Sequence, residues 1–146
     1  MPNVFHHRHT VLPDEADRMG HANNLAYMHW MIDAAVAHSA AQGWPGEALI
    51  HLGCAWVVRR HAIDYHYGAM PGDRIVVQTW VATMRKVTSL RRYRIVREAD
   101  EKLLASAETM WAFVDFTTGR PKRIPADVAQ SFVVVDASNE PSFNSQ

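Results

Sequence analysis

Asp14-Glu15-Ala16-Asp17-Arg18-Met19-Gly20-His21-Ala22-Asn23-Asn24-Leu25-Ala26-Tyr27 is the stretch on which the fold of this 146-residue chain turns. It sets polar groups and a glycine turn directly ahead of an amphipathic run. Gly20 can take backbone angles that other residues avoid, and Asn23 or Asn24 can cap the unpaired N–H groups of the helix that follows. The Asp17 carboxylate, the His21 imidazole and the positive end of a helix dipole would then converge.

Working outward, residues 24 to 41 place Tyr27, Met28, Met31, Ile32, Ala35 and Val36 on one stripe at three- and four-residue spacing, with Gly43 just past the end as a stop signal. The spacing predicts one long, buried helix. From about residue 55 the pattern turns to strands: Ala55 to Tyr67, the turn Pro71-Gly72-Asp73, then Ile75 to Met84, rich in Val, Thr and Trp. Ser89 to Glu98 and Leu103 to Phe116 follow, separated by Ala99-Asp100-Glu101-Lys102, with a further turn at Gly119. These connections are too short for parallel crossovers, so the sheet is expected to be antiparallel. Residues 4 to 12 read as a first or edge strand and Pro125 to Ser131 as a short helix. The order is strand, long helix, then four strands in a meander, an α+β arrangement. Ala105 and Ala107, followed by Thr109, Trp111 and Phe113 on one strand face, would let the helix lie close to the sheet at one end and be wrapped by it.

A chain of this length makes one domain, expected over residues 1–136 with a polar, frayed tail at 137–146. At 48% apolar residues it is globular, and no apolar run approaches the roughly 18 residues of a membrane span. The N-terminus lacks an apolar core of signal-peptide type, and a single cysteine, Cys54, allows no intrachain disulfide, so a cytoplasmic location is expected. Fifteen basic residues balance fifteen acidic ones, which argues against a global field that steers the protein to nucleic acid. Any anion site must be local.

Glu15-Ala16-Asp17 followed by Gly20-His21-Ala22-Asn23-Asn24 and Tyr27 resembles the signature of the 4-hydroxybenzoyl-CoA thioesterase-like family of hotdog-fold acyl-CoA thioesterases. Pro71-Gly72-Asp73 leading into Ile75-Val76-Val77, Leu104-Ala105-Ser106-Ala107-Glu108-Thr109, and Thr118-Gly119-Arg120-Pro121 with Ile124-Pro125 extend the resemblance over roughly residues 5 to 133. It implies a hotdog fold, an antiparallel sheet of about five strands around one long helix. It also implies hydrolysis of an acyl-CoA thioester, with the catalytic aspartate at Asp17 and the glycine, histidine and asparagine pair at Gly20, His21, Asn23 and Asn24. Many members carry aspartate two residues before the catalytic one, where this chain has Glu15. The resemblance further implies a homodimer or homotetramer with each site at a subunit interface. No cofactor and no metal are expected.

The chemistry is reasonable on its own terms, because a thioester carbonyl is activated and its thiolate leaves readily. Asp17 could take a proton from water, or attack the carbonyl and form an anhydride. Backbone N–H groups at the helix start, with His21 as an extra donor, would hold the oxyanion. Asn23 and Asn24 also fit simple roles as helix caps and loop braces, and Tyr27 fits the buried helix face with its hydroxyl near an acyl pocket.

Arg85, Lys86, Arg91, Arg92, Arg94 and Arg97 gather six of the fifteen basic residues on one predicted hairpin. Arg85, Lys86, Arg91 and Arg92 are candidates for the phosphates of coenzyme A, against the alternative of a solvated sheet face. His6, His7 and His9 lack the carboxylate or cysteine company of a metal site and read as part of an edge strand. Cys54 lies in the apolar run Leu52-Gly53-Cys54-Ala55-Trp56, typical of a buried thiol. Met28, Trp30, Met31 and Trp56 suit an adaptable acyl pocket and core packing equally. Alternatives to an acyl-CoA thioesterase are a hotdog protein of acyl-binding or hydratase type, and a thioesterase acting on acyl-carrier protein.

Overall fold

Asn23 starts the long helix. Its Oδ1 accepts the Ala26 N–H at 2.9 Å, and helix α1 then runs over Asn24–Ala41, within the bounds the spacing predicts. The computed structural model describes residues 3–142. The buried face of α1 is Ala26, Tyr27, Trp30, Met31, Ala34, Ala35 and His38, which rotates the predicted stripe. Val36 is exposed, and Met28 and Ile32 are only half-buried. The stripe's spacing leaves out Trp30 and its apolar type leaves out His38, yet both go inward, where Glu15 accepts the Trp30 indole N–H and Arg91 donates to His38.

Five strands form one antiparallel sheet: β1 (Phe5–Thr10), β2 (Cys54–Tyr65), β3 (Arg74–Met84), β4 (Thr88–Arg97) and β5 (Leu103–Asp115). Their order is β1-β3-β4-β5-β2. Only β3, β4 and β5 form a meander; β2 crosses to the far edge and pairs with β5, Ile63 opposite Ala107. This corrects the four-strand meander. Two adjacent stretches of strand-forming sequence do not announce whether they pair, and here residues 66–73 carry the chain across the start of α1 instead of turning back on β2. Two further α-helices, both short, lie among the described residues: α2 (Gly46–His51), absent from the sequence reading because six residues show too little periodicity, and α3 (Ala126–Gln130).

The main core cluster lies between α1 and the sheet, where Trp30, Met31 and Ala34 meet Ile75, Tyr93, Ile95, Ala105 and Ala107. Ala105 and Ala107 face this cluster from β5, but the helix backbone comes closest to β3 and β1, so the close approach expected at the two alanines lies elsewhere on the sheet. A second cluster joins Leu49 of α2, Cys54, Phe113, Ile124 and Val128. Cys54 is buried with its thiol toward the Leu49 carbonyl, and burial pushes that thiol up.

The start of the tail is docked. The Glu140 carboxylate accepts the Arg92 guanidinium at 2.6 Å and the Trp80 indole N–H at 2.8 Å, so the fold extends past residue 136. The rest of the tail expectation, at residues 143–146, lies outside the described residues, as do residues 1 and 2. Among the described residues no helix is long and apolar enough to cross a membrane.

Candidate functional site

The loop before α1 is built around two acidic side chains with opposite fates. The Asp17 N–H donates to the His21 carbonyl at 2.7 Å and the Gly20 N–H to the Asp17 carbonyl at 3.1 Å, which closes a tight turn. Gly20 sits at φ +82°, a left-handed angle that favours glycine. Asp17 is exposed, and its Oδ1 accepts the backbone N–H groups of Met19 at 2.9 Å and His21 at 3.3 Å. Its Oδ2 makes no hydrogen bond among the described residues, so one oxygen fixes the carboxylate and the other faces outward.

Glu15, two residues earlier, turns inward. Its Oε1 lies 2.8 Å from His9 Nε2 and accepts the Leu12 N–H at 2.8 Å, while Oε2 accepts the Trp30 indole N–H at 2.8 Å. Burial alone would raise its pKa, but the hydrogen bonds from Leu12, His9 and Trp30 outweigh burial and hold it below the usual value. Glu15 therefore ties β1, the loop and α1 together. His9 is engaged in this contact, and among the described residues no cluster of metal-ligating side chains forms.

Asn23 is both cap and brace. Besides capping Ala26, its Nδ2 donates to the Glu15 carbonyl at 2.9 Å. Asn24 begins α1 and is exposed. Neither the Asn24 nor the Leu25 N–H donates to a protein acceptor among the described residues, which leaves two donors at the positive end of an 18-residue helix. Tyr27 is buried, and its hydroxyl accepts the Ala69 N–H at 3.1 Å and donates to the Tyr67 carbonyl at 3.4 Å. That contact pins residues 66–73 beside the site.

Gly68 belongs to the site although sequence reasoning passed over it. A Cβ there would come within 3.2 Å of His21 Cγ and 3.3 Å of Cδ2, so the imidazole packs against a position that glycine keeps open. The signal was present in Tyr67-Gly68-Ala69, a glycine ahead of the Pro71 turn.

The basic cluster does not form one patch. Strand alternation sends Arg91 to the helix side, where it is only 6% exposed, and Arg92 to the opposite face, where it meets Glu140 and Glu108. Arg94 Nη1 donates to Gln78 at 2.7 Å, and Arg97 pairs with Asp100 and Asp73. Arg85 and Lys86 are exposed at the β3–β4 turn. That turn is remote from Asp17 within one chain: Asp73, just before β3, bonds to Val11 beside the Asp17 loop, whereas Arg85 lies past the other end of the 11-residue strand, about 35 Å along it.

Arg91 Nη1 donates to His38 Nδ1 at 2.9 Å and to Thr79 Oγ1 at 3.1 Å. A guanidinium cannot accept, so His38 Nδ1 is the acceptor and the ring is neutral. Burial, reinforced by the Arg91 charge, lowers the His38 pKa to about 4. Burial also lowers Arg91 to about 10, with Tyr93 opposing, which leaves it cationic at neutral pH. Because the folded His38 value lies below the unfolded value of about 6.5, the unfolded chain binds more protons between the two. Stability is complete above pH 6.5 and falls as the pH drops toward 4, by up to about 3 kcal/mol from this residue. Urea denaturation across that range is expected to show the loss in wild type, with a correspondingly shallower slope in His38→Leu.

A model of the thioesterase-like superfamily matches residues 11–132. The chain belongs to that superfamily. Among curated relatives, the acyl-CoA thioester hydrolase YbgC of Escherichia coli is 30% identical over 86 residues, 59% of this chain and 63% of YbgC. The match thus spans less than two thirds of that relative's length. Slr0204, a 1,4-dihydroxy-2-naphthoyl-CoA thioesterase from Synechocystis, superposes with a TM-score of 0.81 at 18% identity, covering 88% of this chain and 94% of that one. SAV2348 from Staphylococcus aureus, solved in complex with CoA, gives 0.84 at 17% identity over 97% and 88%. At these identities the superpositions establish a shared thioesterase-like fold.

Proposed function

We propose that the protein is an acyl-CoA thioesterase that hydrolyses an acyl-CoA thioester to a free acid and CoA. The observation that carries this reading is the Asp17 carboxylate, held by the Met19 and His21 N–H groups through one oxygen and outward-facing through the other. The superfamily membership of residues 11–132 supports the reaction type. As a general base, Asp17 Oδ2 takes a proton from water as the water oxygen bonds to the thioester carbon. The resulting oxyanion is held by the Asn24 and Leu25 N–H groups, with His21 at the rim; the C–S bond then breaks and the proton passes to the departing thiolate. As a nucleophile, the same oxygen would form an anhydride that water cleaves. Gly20, Asn23 and Tyr27 shape this site and Asn24 opens its donor end.

A second copy of the chain completes the arrangement. Among the described residues the outer edge of β2 is unpaired, and Val57 and Val58 on this strand are both exposed, a favourable edge for strand pairing between copies. The span of β3 between Asp17 and the β3–β4 turn means that Arg85 and Lys86 can serve a CoA phosphate only at a partner's Asp17. Arg92 is already paired with Glu140, and the inward position of Arg91 removes it from the nucleotide.

The test is thiol release from a panel of aromatic, short-chain and long-chain acyl-CoA thioesters. Turnover of at least one class is expected, and no release from any would defeat the proposal. Within that assay Gly68→Ala is expected to displace His21 and lower kcat by about tenfold, since small misplacements of a positioned group are costly. An unchanged kcat would show that the packing of His21 on Gly68 does not matter to the reaction.

A further inference from the structure

Between the C-terminal half of α1, helix α2 and the sheet lies a cavity of about 200 Å³ that the mechanism above does not use. Its walls are mostly apolar, with Leu49, Trp56, Met84 and Phe132 among them, Val36 and Ile50 stand exposed at its rim, and the hydroxyls of Ser39 and Ser89 already donate to the Trp44 and Thr83 carbonyls. Among the described residues one charged side chain lines it, Arg91.

A guanidinium in such a place normally has a carboxylate beside it, because burying an unpaired charge is costly. Arg91 has none among the described residues. Its hydrogen bonds run from Nη1 to two neutral acceptors, His38 and Thr79, and its Nε and Nη2 donate to nothing among the described residues. His38 is itself locked between Phe5 and Phe132, stacked on the first with ring centroids 5.0 Å apart and edge-on to the second at 5.4 Å, so it holds the arginine in place. The result is a fixed fork of two donors carrying a positive charge inside an apolar chamber. That is the complement of a carboxylate on a compact apolar body.

We propose that this cavity is a binding site for a small apolar carboxylic acid, its carboxylate held by Arg91 and its body lying among Leu49, Trp56, Met84 and Phe132. The volume suits one substituted ring or a short branched chain, given that a cavity of about 150 Å³ accepts benzene. The carboxylate has two sources, a free acid or the far end of an acyl group whose thioester is presented at another copy's Asp17.

Calorimetric titration of the intact protein with benzoate, phenylacetate and hexanoate, each beside its uncharged amide, tests the site. At least one acid is expected to bind about tenfold or more tighter than its amide, the preference a charge-assisted hydrogen bond confers. Arg91→Met should abolish that preference. Ile50→Trp, at the exposed rim, should weaken acid binding with the arginine intact, so a folding failure of the first variant leaves the test standing. Equal binding of acids and amides, no binding of any acid, or acid binding that survives both variants would overturn the proposal. Comparing acyl-CoA thioesters with and without a terminal carboxylate separates the sources: a KM raised by Arg91→Met for the carboxylated one alone assigns the acyl end, and an unchanged KM assigns the free acid. Equilibrium binding needs no turnover, so this result and that of the hydrolysis assay stand or fall separately.

Discussion

Asp17→Asn is expected to lower kcat for thioester hydrolysis by about 10²- to 10⁴-fold with little change in KM, the loss that follows removal of a general base or nucleophile. Asparagine keeps the shape of the side chain and an Oδ1 that still accepts the Met19 and His21 N–H groups, so the turn closed by Gly20 persists. What disappears is the negative charge and basicity of the outward oxygen. Asp17 is exposed, and melting should shift by no more than about 0.5 kcal/mol in stability. Initial rates of thiol release beside a thermal melt provide the check. A kcat within about threefold of wild type, with the fold intact, would remove Asp17 from the chemistry.

The second large effect is on stability. Glu15→Ala is expected to destabilise the protein by about 2–4 kcal/mol, because one truncation strands the Leu12 N–H, the Trp30 indole N–H and the His9 ring at once. Trp30 is 1% exposed, so water cannot replace the lost carboxylate there. Glu15→Gln should lose less, since one acceptor oxygen remains. The depressed folded pKa of Glu15 sets the pH dependence. Its contribution is full above the unfolded value, near 4.5, and is lost as the pH falls below that toward the folded value. This window lies below the one assigned to His38. Chemical denaturation of wild type and both variants at neutral pH and near pH 4 measures it; equal stability of Glu15→Ala and wild type at neutral pH would show that the three contacts are worth nothing net.

The two carboxylates sit two residues apart in one loop, and the contrast between them shows how far local sequence reaches. Glu15-Ala16-Asp17 marks a pair of acids before a glycine turn but says nothing of which one turns inward. The decision rests on Trp30, a turn and a half into α1, and on His9 of β1, which together draw Glu15 inward and leave Asp17 at the surface. The asparagines were more legible. An Asx residue just ahead of a helical pattern caps through its own side chain, a contact three residues long, and Asn23 does so.

Sequence by itself determined what depends on near neighbours: the bounds of α1, set by a cap at one end and Gly43 at the other, the strand character of four later segments, and the glycine turn that positions Asp17. The tertiary structure alone decided what depends on partners far along the chain. Strand β2 pairs with β5 and not with the strand that follows it, His38 meets Arg91 across 53 residues, and Glu140 reaches back to Arg92 from what reads as a frayed tail. An arginine on a strand has a face only once register is fixed, and register is fixed by the apolar faces of other strands and of α1 closing over them. Thus Arg91 and Arg92, neighbours in a single basic run, end on opposite sides of the sheet, one against α1 and its cavity and the other against the tail.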